Sequence, residues 1–157
     1  MIRTMPAIES DASFLYQLFV HTRLEEMQAW AWDETMQQQF LNMQWTARQH
    51  SYSLQYPAAE QLILHVRDER VGQALVNRTD SNLTLVDITV LPAYRGLGIG
   101  TAFIQELLSE AEAGAKNIHL SVLPDNPALR LYERLGFNKI ESSSLHIQMV
   151  WSPVPTR

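Results

Sequence analysis

The chain has 157 residues, 17 acidic and 12 basic side chains, a net charge of −5 and no cysteine. That length suits one folded unit, so a single domain over 1–157 is expected. The acidic balance argues against nucleic acid, whose phosphates are met by basic faces, and the lack of Cys excludes disulfides and thiol nucleophiles and suits a reducing compartment. No stretch approaches the roughly 20 apolar residues of a membrane span, and the apolar run Phe14–Val20 is short and broken by Gln17, unlike a signal peptide. A soluble, cytoplasmic protein is the expectation.

Ile2–Pro6 reads as a first strand. Ser10 or Asp11 can cap a helix in which Phe14, Leu15, Leu18 and Phe19 recur at helical spacing, running to about His21 or Arg23. Leu24–Asp33 is acidic and aromatic, with Glu25, Glu26, Trp30 and Trp32. A longer helix is expected over Glu34–Tyr52, where Met36, Phe40, Met43 and Ala47 are spaced four, three and four, and Pro57 marks its end or the loop beyond it. Gln61–Arg67, Val71–Asn77 and Leu83–Val90, separated by the polar turns Asp68–Arg70 and Arg78–Asn82, read as an antiparallel meander.

The meander ends in Leu83-Thr-Leu-Val-Asp-Ile-Thr-Val-Leu-Pro-Ala-Tyr-Arg-Gly-Leu-Gly-Ile-Gly-Thr101. A strand, a Gly-rich turn and a helix start in that order make an anion cradle. The first helix amides have no partner inside the helix and sit at its positive end, and glycines let a phosphate come close. A dinucleotide fingerprint would need a third Gly where Thr101 stands, and a Walker loop would need a Lys that is absent. Ile99, Phe103, Leu107 and Ala111, with Ile104 and Leu108 beside them, form the apolar face of the following helix, with Gly114 as a C-terminal cap. Ile118–Leu123 is the next strand. Pro127–Leu135 is a short helix with Pro in its first turn. Phe137–Glu141 and Leu145–Trp151 read as a closing hairpin.

The stretch Arg95-x-x-Gly98-x-Gly100 resembles the pyrophosphate loop of the GCN5-related N-acetyltransferase superfamily, which binds acetyl-coenzyme A. A second block, Asn126-Pro-Ala-Leu-Arg-Leu-Tyr132-Glu-Arg-Leu-Gly136-Phe137, resembles that family's next motif, and the two stand in the family's order. The resemblance is sharp over Leu83–Phe137 and loose before it. It implies an α/β fold: a central twisted mixed sheet of about six to seven strands with about four to five helices. The strand ending near Val90 and the one beginning near Ile118 would be parallel, joined by a right-handed crossover. They would splay apart between Ile88–Val90 and Leu120–Val122 to admit the pantetheine arm.

The resemblance further implies acetyl transfer to a primary amine by direct attack in a ternary complex. A small-molecule amine is expected ahead of a peptide or protein amine. Ile88, Val90, Arg95, Gly96, Leu97, Gly98, Ile99, Gly100, Thr101, Asn126 and Tyr132 would meet the cofactor. Tyr132 would be the general acid for the leaving thiolate, and the Val90 amide the oxyanion donor. A free amine of pKa near 10 is neutral in only about one molecule in a thousand at pH 7, so a base is needed. Asp87, which alternation places with Thr89 opposite Ile88 and Val90, is one candidate; a structural acceptor is its other reading. His119, on a face with Ser121, is the alternative base. Glu25, Glu26, Trp30 and Trp32 could recognise a cationic amine by charge and cation–π contact, or be a solvated face and core anchors. The five His show no close metal-ligand spacing, so no metal is expected. The apolar last strand, Leu145–Trp151, is suited to an edge-to-edge contact, as in a homodimer. The alternative to an enzyme is a cofactor-binding sensor or interaction module of the same fold.

Overall fold

A computed structural model describes residues 2–27, 32–143 and 145–153, with Glu26 as backbone alone. The chain runs β1 (Ile2–Pro6), a 3-10 turn (Glu9–Asp11), α1 (Ala12–Met27), α2 (Glu34–Gln55), β2 (Glu60–Val66), β3 (Glu69–Arg78), β4 (Asn82–Val90) and a second 3-10 turn (Pro92–Tyr94). It continues through α3 (Ile99–Gly114), β5 (Asn117–Val122), α4 (Ala128–Arg134), β6 (Asn138–Ser142) and β7 (Ile147–Trp151). The strands form one seven-stranded sheet in the order β1-β2-β3-β4-β5-β7-β6. Only β4 and β5 pair in parallel, across the α3 crossover; the other pairs are antiparallel. This is the mixed α/β sheet expected from the sequence.

One face of the sheet is sealed by α3. Its apolar stripe buries Ile99, Phe103, Ile104, Leu107 and Ala111 in a core shared with Leu64, Val76, Leu83, Ile118 and Met149. Burying a Phe, Ile or Leu side chain is worth about 1.5–3 kcal/mol, so this stripe fixes α3 on the sheet. On the other face α1 and α2 pack together around Phe19, Met27 and Leu41. β3 lies between the two layers, and Val71, Ala74 and Val76 are fully buried.

Four local expectations are corrected. α1 continues past Arg23 to Met27, because Met27 is 1% exposed in the α1–α2 core and rewards the extra turn. The left-handed residue that ends α3 is Ala115, at φ +54°, rather than Gly114, with Lys116 N donating to Ala111 O at 2.8 Å. The final strand begins at Ile147, and Leu145 lies exposed outside it. That strand is also not an edge: β7 is paired with β5 on one side and β6 on the other. Its apolar residues Ile147 and Met149 are core, and the edge on that side of the sheet is the exposed β6. The edge-to-edge contact expected of Leu145–Trp151 is therefore overturned.

Candidate active site

The site begins where β4 and β5 part. They pair from Asn82–Asn117 to Leu85–Leu120, after which β4 runs on to Val90 and β5 to Val122 without pairing. Val86 is an extra residue in the β3–β4 ladder: Val76 faces Leu85 and Leu75 faces Asp87. Such a bulge bends its strand and shifts the alternation by one. Leu83 and Leu85 point into the α3 core, and beyond the bulge Ile88 and Val90 pack there instead, leaving Asp87 and Thr89 on the α2 side. Leu91 N donates to Val71 O at 2.8 Å, so Val71–Leu91 is a hydrogen-bonded pair. By antiparallel alternation, Gly72–Val90 and Ala74–Ile88 are not such pairs. The N–H and C=O groups of Ile88 and Val90 therefore point away from β3, into the fork. Gly72 permits this close approach, since a Cβ there would lie 2.4 Å from Thr89 O.

The corner beyond β4 is open. Gly98 caps α3 at φ +81°, a left-handed conformation that a side chain resists, and Ala102 N makes the first helical bond to Gly98 O at 2.9 Å. The amides of Ile99, Gly100 and Thr101 precede that bond and have no acceptor among the described residues. A Cβ built at Gly96, Gly98 or Gly100 would meet nothing within 4 Å. Leu97 is 69% exposed, whereas Ile99 is buried and anchors the corner to the core. Unpaired amides at a helix start, with clear space in front of them, fit a diphosphate. Arg95 faces away from this space: its Nε donates to Val90 O at 3.3 Å and its guanidinium pairs with Glu25 at 3.1 Å. It ties the corner to the end of α1.

Asn126 lines the space at the fork, and Tyr132, on α4, is buried in the core shared with α3 and lines neither cleft described below. α4 ends with Gly136 at φ +101°; Gly136 N donates to Glu133 O and Phe137 N to Tyr132 O, at 3.1 and 3.0 Å. That closure carries its usual apolar contact, here between the Tyr132 and Phe137 rings, 5.7 Å apart. The Gly-Phe pair thus fixes the Tyr132 ring in the core. Its hydroxyl has no hydrogen-bond partner among the described residues. Burial, and then the charge of Asp87, push the phenol above its ordinary value, so it stays protonated. Asn126 Oδ1 accepts from Ala128 N at 2.9 Å, capping α4, while Asn126 also lines the clefts described next.

Two clefts meet at the fork. The larger, about 930 Å³, lies between the end of α2 and the uncovered face of β4, β5 and β7, lined by Tyr52, Thr84, His119, Ser121 and Gln148. The smaller, about 380 Å³, runs under α1 and α2 along Asp87, Ile88 and Thr89. Arg23, Tyr52, Asp87, Leu123 and Asn126 line both. Asp87 Oδ2 is heavily engaged: it accepts from Arg48, from Gln73 Nε2 at 2.6 Å and from Thr89 Oγ1 at 3.4 Å. Gln73, only 4% exposed, is held in turn by Gln61 at 2.6 Å. A carboxylate so bound is occupied as a structural acceptor. His119 Nε2 lies 3.2 Å from Asn82 Oδ1, within reach of a hydrogen bond in the Nε2–H tautomer, the one in which Nδ1 keeps its lone pair.

Of the residues expected to recognise a cationic amine, the two whose side chains are described do not line the clefts. Glu25 is paired with Arg95, and Trp32 packs edge-on against Phe40 at 5.1 Å in the α1–α2 core. The Glu26 side chain and Trp30 lie outside the described residues. Sequence reasoning did not single out Arg23, Arg48, Tyr52, Gln73 or Asn82. Gln73 alone left a trace, as a polar residue inside the apolar run Val71–Val76. Arg48 and Tyr52 are one helical turn apart, and the Arg48 guanidinium lies 4.9 Å from the Tyr52 ring, but their partners come from a distant strand.

The splayed sheet and the glycine corner define an acetyltransferase scaffold, and the chain belongs to the acetyltransferase (GNAT) family, whose sequence profile matches residues 15–137. A segment of 72 residues is 33% identical to the [ribosomal protein bS18]-alanine N-acetyltransferase of Haemophilus influenzae, covering 45% of this chain and 49% of that protein. Another of 67 residues is 40% identical to the thialysine N-epsilon-acetyltransferase of Mus musculus, covering 41% and 39%. The chain thus matches about half or less of the length of these relatives. Among solved structures, the PaiA N-acetyltransferase of Thermoplasma acidophilum in complex with coenzyme A superposes with a TM-score of 0.71 at 13% identity, over 97% of this chain and 99% of that one. The ribosomal-protein-S18-alanine N-acetyltransferase of Escherichia coli does so at 0.67 and 21%, over 100% and 97%. At these identities the likeness is one of fold.

Proposed function

We propose that this protein is an acetyl-CoA-dependent N-acetyltransferase acting on a primary amine by direct attack. The observation that carries the reading is the alignment of unpaired amides: Ile99–Thr101 at the corner, then Val90 and Ile88 along the fork. Family membership and relatives solved with coenzyme A or acetyl-CoA support the choice of cofactor. Acetyl-CoA, when bound, supplies an acetyl group activated as a thioester at the far end of an extended arm from its diphosphate. The amides of Ile99–Thr101 would hold its diphosphate and those of Val90 and Ile88 its arm, where both could donate to negative charge developing on the carbonyl oxygen.

The larger cleft admits the acceptor at the paired end of the fork. There His119 Nδ1 accepts a proton from the ammonium, directly or through water, and Asn82 holds the ring's tautomer. Asp87 keeps Arg48 and Gln73 in place and leaves the proton to His119. As the new N–C bond forms and the C–S bond breaks, Tyr132 would give its hydroxyl proton to the leaving sulfur, and the second proton lost from nitrogen as the amide forms would restore the phenol through water. The chain has no Cys to carry the acetyl group, so transfer passes through no cysteinyl intermediate.

The test pairs calorimetry of acetyl-CoA with thiol release over a panel of primary amines. Micromolar binding with amine-dependent thiol release is expected. Binding without release from any amine would leave a cofactor-binding module, and no binding would end the reading.

A further inference from the structure

Asp87 is held through one of its two oxygens. Oδ2 accepts from Arg48, Gln73 Nε2 and Thr89 Oγ1, whereas Oδ1 takes no hydrogen bond among the described residues. Three donors on one oxygen fix the orientation of the carboxylate, and Gln73, gripped by Gln61 and only 4% exposed, keeps its place. The Asp87 side chain is 27% exposed and lines both clefts, so the second oxygen is left for what enters them. Asp87 stands two positions past Leu85, the last residue of β4 paired with β5, and next to Ile88 at the fork.

Two more hydrogen-bond acceptors line the larger cleft from other elements. Tyr52, on α2, has its ring 4.9 Å from the Arg48 guanidinium, the same group that holds Asp87. Its hydroxyl has no hydrogen-bond partner among the described residues, and burial, then the charge of Asp87, keep it a neutral phenol whose oxygen can accept. His119, on β5, offers Nδ1 in its Nε2–H tautomer. Thr84, the register partner of His119, stands three positions before Asp87, about 10 Å of strand at most. Two side chains with one nitrogen between them fill such a gap. A primary ammonium carries three N–H donors and no acceptor. We infer that Asp87 Oδ1, Tyr52 Oη and His119 Nδ1 seat the acceptor nitrogen, one for each N–H of a primary ammonium, so that the site selects primary over N-methylated amines. Arg48 already balances the charge of Asp87, so the selection is by donor count rather than by net charge. The inference rests on the acetyl-transfer reading of the same cleft, in which His119 takes one of the three protons.

The experiment compares 2-phenylethylamine, ethanolamine and glycinamide, each beside the derivative carrying one methyl on its amine. Thiol release is measured with acetyl-CoA, and calorimetry follows each compound onto the CoA-loaded protein. For at least one pair, kcat/KM of the primary amine is expected to exceed that of the N-methyl amine about tenfold or more, as one unpaired charged donor would cost. Crowding by the methyl could give such a ratio too, so the variants decide. Tyr52→Phe keeps the ring on Arg48 and removes one acceptor. It should raise KM for the primary amine, leave CoA affinity unchanged and bring the ratio within about twofold, because the two remaining acceptors serve both amines alike. In Asp87→Asn the amide oxygen stays with Arg48, Gln73 and Thr89, which turns its NH2 toward the cleft, and KM for the primary amine should rise about tenfold or more. A ratio near one in the wild type, a ratio unchanged in Tyr52→Phe, or a KM unchanged in Asp87→Asn overturns the inference and leaves acetyl transfer standing. If no compound releases thiol, the calorimetry decides. A primary amine that binds more tightly than its N-methyl form, with the preference lost in Tyr52→Phe, upholds the ammonium seat and removes the enzyme. Primary amines that bind no better, or not at all, remove both.

Discussion

Gly98→Ala separates the fold from its ligand. In the free protein the added methyl meets nothing within 4 Å, so its cost is conformational. A non-glycine residue at φ +81° pays about 1–2 kcal/mol for the left-handed region. For a domain of this size each kcal/mol lowers Tm by about 2–4 °C, so a fall of roughly 2–8 °C is expected. The ligand should notice far more, because the methyl occupies the open side of the corner where a diphosphate would meet the first amides of α3. Losing one hydrogen bond to a charged group costs about 1.5–3 kcal/mol, or roughly 10- to 150-fold in Kd. The control is Gly136→Ala, also at positive φ, where a Cβ would press on the Trp151 ring at 3.2 Å, away from the corner. It should cost at least as much Tm with little change in Kd. Calorimetry of CoA and thermal unfolding with and without saturating CoA read both quantities; ligand at 100 times the wild-type Kd adds about 2.7 kcal/mol, of which Gly98→Ala should keep only about 0.3–1.4 kcal/mol at the same concentration. A Gly98→Ala protein that melts lower yet binds CoA like the wild type would refute the corner as a diphosphate site.

Tyr132→Phe should leave stability within about 0.5 kcal/mol, because the lost hydroxyl has no partner among the described residues, and leave CoA affinity unchanged, while kcat falls about 100-fold. With the phenol raised by burial and by Asp87, the wild-type rate should show no loss attributable to this group below about pH 10; a Tyr132-dependent fall near pH 8 would contradict its role as acid. Gly72→Ala places a Cβ 2.4 Å from Thr89 O and should cost about 1–3 kcal/mol in denaturant unfolding, since β3 and β4 must move apart; an unaltered midpoint would mean the strands are not held that close. On the surface, the Glu110 carboxyl is held below its ordinary value chiefly by the Arg78 hydrogen bond, with burial opposing. A lowered carboxyl pKa contributes stability above the unfolded value near 4.5 and loses it as pH falls through the folded value. Both groups are about a third or more exposed, so the contribution is below about 1 kcal/mol. Arg78→Met should therefore be less stable than wild type at pH 7 and lose that part of the difference by pH 3, as read by urea unfolding.

What the sequence made legible was local and periodic. The α3 stripe, the glycine corner and the Tyr-to-Gly-Phe closure of α4 each depend on residues within a few positions of one another. Their geometry follows from spacing and from where φ must be positive. What it concealed depends on which segments end up side by side. β7 has the look of an apolar edge only while its neighbours are unknown; once inserted between β5 and β6, its Ile147 and Met149 are ordinary core. Asp87 has the look of a catalytic carboxylate until Arg48, from a helix ending well before it in the chain, closes on it. Glu25 is likewise assigned by Arg95, 70 positions away. Charges on exposed helix faces carry no periodic signal that names their partners.

The bulge at Val86 connects these facts. Its trace in the sequence is the doublet Leu85-Val86, which breaks the alternation of Leu83 and Leu85 with the later pair Ile88 and Val90. With Val86 kept in strict alternation and no bulge, Asp87 and Thr89 would follow Leu85 onto the α3 face, burying a carboxylate in the apolar core. Ile88 and Val90 would face Arg48. With the bulge, one strand serves two layers: apolar side chains stay on α3, Asp87 anchors α2, and the strand bends away from β5 directly past its last paired residue. Deleting Val86 would leave Leu85 and Asp87 opposite Val76 and Leu75 in a regular ladder, so Asp87 should keep its place against Arg48 while the strand loses its bend and the protein its CoA binding. CoA binding kept in that variant would show that the fork opens for some other reason.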